Sequence, residues 1–133
     1  GDEAGPWRAW WRAGPAQVLA HLDERIADVL RASGSARAAG LLGLAGVRDR
    51  RVVRLARCEL ASPAPELRVA AARALGQLRA WAAVPDLARG LLDEAPAVAA
   101  GCQRALLGIT GVACPPRPEL WLEWWEESGA WER

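Results

Sequence analysis

Residues 65–92, PELRVAAARALGQLRAWAAVPDLARGLL, decide how the rest of the chain is read. Pro65 suits the first position of a helix, because the N–H it lacks has no intrahelical acceptor there. The predicted helix runs to Leu78, a short turn carries Trp81, and Val84-Pro85 opens a second helix. Ala70, Ala71 and Ala74 let helices approach closely, while Leu75, Leu78, Leu87 and Leu91 fill the layer between them. The first half of this unit returns as PAVAAGCQRALLGITG from Pro96. Leu67 overlays Val98, Ala71 overlays Cys102, Arg73 overlays Arg104, Leu75 overlays Leu106 and Leu78 overlays Ile109, at a constant offset of 106 − 75 = 31. A fainter copy precedes both, with Leu42-Gly43 matching Leu75-Gly76 at 75 − 42 = 33. Two helices in a period of about 30 to 45 residues are the pattern of an α-solenoid, in which no unit buries both of its faces alone. The predicted class is all-α, a short stack of helix pairs.

The flanking sequence extends the stack on both sides. Residues 36–47 are Ala, Gly and Leu almost throughout, and a helix without a polar face is expected to be packed on more than one side. Residues 48–60 continue as a helix with Val52, Val53, Ala56 and Leu60 inward and Arg50, Arg54 and Arg57 on another face. Before them, Pro15 opens a long pattern striped by Val18, Leu19, Leu22, Ile26, Val29 and Leu30; Ser33-Gly34 ends it, and Ser35 suits the N-cap of the next helix. Pro6 opens a shorter helix with Trp7, Trp10 and Trp11 on one face. After Gly111 comes a Pro-rich connection, then a last helix over 119–127 with Trp121, Trp124 and Trp125 at the same i, i+3, i+4 spacing. No stretch alternates with a period of two, so no strand is expected. The chain thus divides into an N-terminal Trp helix (1–14), a repeat array (15–111), and a Pro-rich connection with a C-terminal Trp helix (112–133). The first Trp helix reads as a cap or as the tail of a preceding array, which would make the chain part of a longer array or of a multi-subunit complex.

Composition narrows the chemistry. With 52% hydrophobic and 25% charged residues in 133, the chain is globular. A formal net charge of +1 offers no bulk attraction for nucleic acid or an acidic membrane. No apolar run approaches the roughly 20 residues of a membrane span. All 17 cations are arginine, a bias expected of a GC-rich bacterial genome, and Arg covers apolar surface and forks onto carboxylates better than Lys. Cys58, Cys102 and Cys114 show no paired spacing, which leans towards a reducing compartment such as the cytoplasm. A single histidine, His21, argues against a zinc site and against a catalytic triad. The Gly40–Gly46 run lacks the spacing, preceding strand and Lys of a phosphate loop, and reads as close helix packing. No pair of carboxylates stands out as an acid/base couple. The sequence therefore predicts no enzyme and no cofactor.

The repeat resembles HEAT repeats, specifically the short bacterial kind related to phycobilisome-lyase HEAT-like repeats. That family reads D-P-x-V-R-x-A-A-x-A-L-G-x-L-G-D-x-x-A-V-P-x-L, and Pro65 to Leu78 follows it, with Ala83-Val84-Pro85-Asp86-Leu87 supplying the next helix start. The likeness covers roughly residues 36–111 and is most specific over 60–111. Two departures carry expectations. The family's capping Asp is Ala64 in one unit and Ala95 in the next, a loss of about 0.5–2 kcal/mol per helix unless Ser62 and Asp93 take over the bond. The family's Gly-Asp turn is Arg79-Ala80 here, so the loop before Trp81 should differ in shape.

The resemblance implies a right-handed solenoid of about three helix pairs, sealed by the Trp helices, with the second helix of each pair lining a concave surface. On that implication Val69, Arg73 and Gln77 form one row there, and Ala100, Arg104 and Gly108 a second. It also implies protein–protein interaction, as a scaffold, adaptor or accessory subunit, with Val69, Arg73, Gln77, Arg104 and the Trp81 turn as the candidate contacts. Two alternatives follow from relatives of the same repeats: nucleic-acid binding as in DNA-repair glycosylases, and a lyase or chaperone for a bilin or another cofactor. Each candidate has a plainer reading beside it. The paired arginines can be solvated helix-face charges, and the basic run Arg48, Arg50, Arg51, Arg54 and Arg57 a convex solvated surface. The Trp helices can be caps, Trp81 and Trp131 indoles folded onto their own domain, and Cys102 a small core residue in an Ala register.

Overall fold

Helix starts recur at fixed spacings along the chain. The computed structural model describes residues 21–128. Residues 21–31 are the described part of α1. Then follow α2 (Gly34–Leu44), α3 (Arg50–Glu59), α4 (Pro65–Leu78), a 3₁₀ turn (Trp81–Ala83), α5 (Val84–Gly90), α6 (Pro96–Thr110) and α7 (Pro118–Ser128). No strand occurs among the described residues, and the fold is all-α. The helix carrying Trp7, Trp10 and Trp11, the Val18-Leu19 part of the first stripe, and Trp131 lie outside the described residues.

The starts of α2, α4 and α6 are 31 residues apart (65 − 34 and 96 − 65), and those of α3, α5 and α7 are 34 apart (84 − 50 and 118 − 84). Packing follows the same alternation. Helix α4 lies against α2, α6 and α3, α6 against α4 and α5, and α7 against α5. The close partner of α5 is thus α6, the helix after it, rather than α4 before it. The same holds one unit earlier, where α3 lies on α4, and the turn between α4 and α5 has its own geometry. Arg79 takes a left-handed conformation (φ 50°), its N–H bonds Gly76 O, and the Ala80 N–H reaches back to Leu75 O. Those two bonds satisfy carbonyls at the helix end, as a glycine there usually would. The Arg79-Ala80 loop is thus closed by an arginine in the glycine conformation.

One continuous core runs through the stack, and its largest fully buried side chains include Trp121, Leu41, Leu44, Leu75, Leu87 and Leu106. Several expectations shift in register. The faint first copy matches at 31 rather than 33 residues, for Leu44 is buried in the place that Leu75 holds in α4, whereas Leu42 is half-buried. In α3 the buried stripe is Val52, Leu55, Ala56 and Glu59, with Val53 and Leu60 only half-buried. Helix α2 is not enclosed all round: Ala36, Ala39 and Gly43 are exposed. Its small residues serve close approach, since a Cβ on Gly40 would fall 2.8 Å from Val29 Cγ2 of α1. Ser35 is not the cap of α2; Ser33 holds that position without a side-chain bond.

Polar ties reinforce the stacking. Arg68 near the start of α4 grips Asp93 in the loop before α6 with two bonds, Nε to Oδ2 at 2.8 Å and Nη2 to Oδ1 at 3.0 Å. The Arg68 guanidinium holds the Asp93 carboxyl below its usual range, helped by the Ala95 N–H. Arg68 also donates to Ser62 O at 2.9 Å. Ser62 and Asp93 do accept local bonds, from the N–H groups of Ala64 and Ala95 at 3.3 and 2.9 Å. They brace the approach to α4 and α6 without capping the first-turn donors, so both helices start with no side-chain cap.

Candidate functional site

Four-residue steps place Val69, Arg73 and Gln77 along one face of α4, and steps of four, three and four do the same for Ala97, Gly101, Arg104 and Gly108 on α6. Because the two helices pack side by side, these faces line one open groove of about 560 Å³. Its floor is made of small residues. A Cβ added to Gly76 would sit 3.1 Å from Ala105 Cα and 3.2 Å from Ala105 Cβ, so the helices are nearly in backbone contact there. Packing makes no such demand at the two α6 glycines on either side of Ala105. A Cβ on Gly108 would meet nothing within 4 Å, and one on Gly101 would only touch Ala72 Cβ at 3.8 Å.

Arg73 and Arg104 stand exposed on the walls. Among the described residues neither has a hydrogen bond or an ion pair, and no carboxylate lines the groove. Several other arginines are tied down: Arg37 to Glu59, Arg51 to Asp49 and Asp23, Arg57 and Arg89 to Asp86, and Arg68 to Asp93. The structure therefore brings together Val69, Arg73, Gln77, Arg104 and Gly108 of the two predicted rows. Ala97 and Gly101 line the groove in place of Ala100. Trp81 is elsewhere. It is half-buried and stacks on Trp124 of α7, ring centroids 6.3 Å apart and planes at 25°.

A second, smaller depression of about 470 Å³ gathers Arg48, Arg50, Arg54 and Arg57 around Val53, Leu78 and Ala82 at the start of α3. Its charges are partly spent within the fold. Asp49 caps α3 by accepting from the Arg51 N–H at 2.8 Å, and the Arg51 guanidinium lowers its carboxyl pKa. Arg57 donates from Nε to Asp86 Oδ2 at 2.7 Å.

Sequence reasoning missed Glu59, the one buried charged residue among those described, which pairs with Arg37 of α2. The signal was there: Glu59 is the i+7 position of the stripe begun by Val52. Cys102 behaves as its Ala register implies. It is fully buried, and desolvation, with the charge of Asp93 adding to it, pushes its thiol up to about 11. Among the described residues no cluster of His, Cys, Asp and Glu is arranged to hold a metal ion, and no helix is long and apolar enough to cross a membrane. No family model, curated protein or solved structure matches the chain.

Proposed function

We propose that the chain is a non-catalytic protein-interaction module, a short right-handed α-solenoid of HEAT-like helix pairs that acts as scaffold, adaptor or accessory subunit of a larger assembly. Two kinds of observation support the solenoid: the 31- and 34-residue spacing of helix starts, and packing of each helix on near neighbours in the series. The interaction reading is carried by the α4/α6 groove, where two arginines without ion-pair partners among the described residues flank a glycine- and alanine-rich floor. These two face one groove from adjacent helices with no carboxylate in its lining, where a partner's groups can reach them.

The test is affinity purification from the native host with the wild-type chain and with Arg73→Glu/Arg104→Glu as baits, followed by mass spectrometry. The double variant should lose the proteins that define the wild-type set. It should melt like the wild type, since exposed substitutions away from packing change stability by only about 0.5 kcal/mol. A lower melting temperature with the same proteins retained would show the arginines to be structural and the groove idle.

A further inference from the structure

The chemistry of the α4/α6 groove narrows its occupant, on the reading that the groove is a docking surface. Its cations are two, one from each helix, and no carboxylate in the lining competes for them. Gln77 adds an amide that both donates and accepts. Between these groups the floor is Gly76, Gly101 and Ala105, with no side chain tall enough to hold an incoming main chain away. Gly108 extends this opening although nothing in the helix packing excludes a side chain there. An interior helical glycine costs about 1 kcal/mol relative to alanine, so its presence on the open wall keeps space rather than stability.

We infer that the groove takes an acidic peptide segment of a partner protein, laid across the seam with one carboxylate on Arg73 and another on Arg104. Side chains of an extended segment alternate between its two faces at about 3.3 Å per residue, so two acids that face the groove together stand at i and i+2, about 7 Å apart, within reach of two long arginine side chains. The main chain between the two acids lies over the glycine-alanine floor. A nucleic-acid backbone is a poorer match. It binds through a run of cations that releases many counterions, and this groove presents two.

The experiment is selection of a random peptide library on the immobilised full chain, repeated on Arg73→Glu/Arg104→Glu and on Gly108→Leu, with melting curves for each. The expected pool is enriched in pairs of Asp or Glu at i and i+2. The best peptides should bind the charge-reversed chain about 10- to 100-fold more weakly, the loss of charge-assisted hydrogen bonds. Arg73→Gln/Arg104→Gln, a milder pair, should fall in between, and selection on the charge-reversed chain should turn to Lys- and Arg-rich peptides. Peptides blocked by Gly108→Leu but neutral in charge and indifferent to both arginine pairs would overturn the acidic occupant and leave the docking surface standing. Peptides indifferent to Gly108→Leu as well would overturn the docking surface itself. A short DNA duplex that binds the wild type and not the charge-reversed chain would transfer the groove to nucleic acid and overturn the inference.

Discussion

Cys102 shows how one residue reports on the packing of two helices. Its Sγ lies where a Cβ on Gly90 would come within 2.4 Å, so α5 and α6 meet at a glycine on one side and a thiol on the other. The repeat register foretold a small buried side chain at 102, because the matching residue is Ala71. It did not foretell Gly90 as the opposing surface, since that contact depends on which helix α5 packs against. The thiol also carries a testable charge. Its ordinary value is 9.0, and burial raises it to about 11 in the fold. A raised pKa means the neutral thiol is favoured by folding: the contribution is whole below pH 9 and is lost as pH rises towards 11. The chain has no Lys and no Tyr, so few other groups titrate in that window. Urea unfolding at pH 8, 9, 10 and 11 should therefore show stability declining by roughly 2–3 kcal/mol, and Cys102→Ala should flatten most of that decline. A variant with the wild-type slope would place the alkaline transition elsewhere.

At the level of elements, the helices were legible because their signals are local, whereas the contacts between them were only partly so. Pro65 and Pro96 mark the starts of α4 and α6, and the Leu and Ala spacing marks their buried faces. The equivalence of Arg73 and Arg104 followed from the 31-residue offset, whereas their facing one surface was what the resemblance to HEAT repeats implied. Trp81 was less readable. Its partner, Trp124, is 124 − 81 = 43 residues away, and the turn that delivers it depends on Arg79 accepting a left-handed conformation. The tie between Arg68 and Asp93 was half visible, as a candidate cap rather than as a clamp from α4 to the loop before α6. Its side chains are only 18% and 15% exposed, so the pair is better sheltered than a typical surface ion pair. Asp93→Asn should weaken the fold at pH 7 by about 1–2 kcal/mol, the scale of a lost charge-assisted bond. The sign with pH is the reverse of the cysteine case. The Asp93 pKa is held below its usual 3.8, so its contribution is present above that value and lost as pH falls through the depressed one. Acid denaturation followed by circular dichroism should accordingly be shallower below pH 3.8 in Asp93→Asn than in the wild type; equal slopes would mean the clamp adds nothing.

On the scale of the whole molecule, the question is how far a change at one end is felt. Helix α7 packs on α5, α5 on α6, and α6 on α4, so the main packing route from α7 to α2 runs through intermediates. The three indoles of α7 do not share its burial equally. Trp121 is fully enclosed, while Trp124 and Trp125 are half-buried, with Trp124 edge-on to Trp121 at 6.0 Å and stacked on Trp81. The equal i, i+3, i+4 spacing hid that difference, because it puts all three on one face without saying which points deepest. Trp121 is thus the residue that carries α7 into the core, and Trp121→Ala should cost about 3–5 kcal/mol, with a smaller loss for Trp124→Ala. The distribution of that loss matters more than its size. If stability is a sum of units and nearest-neighbour contacts, as in a stacked array, amide protection in Trp121→Ala should fall most in α7 and α5, less in α6, and least in α2. Native-state hydrogen exchange reads this gradient directly. A uniform fall across all helices would mean that the chain unfolds as one cooperative block, and the array description would then fail even though the helix spacing stands.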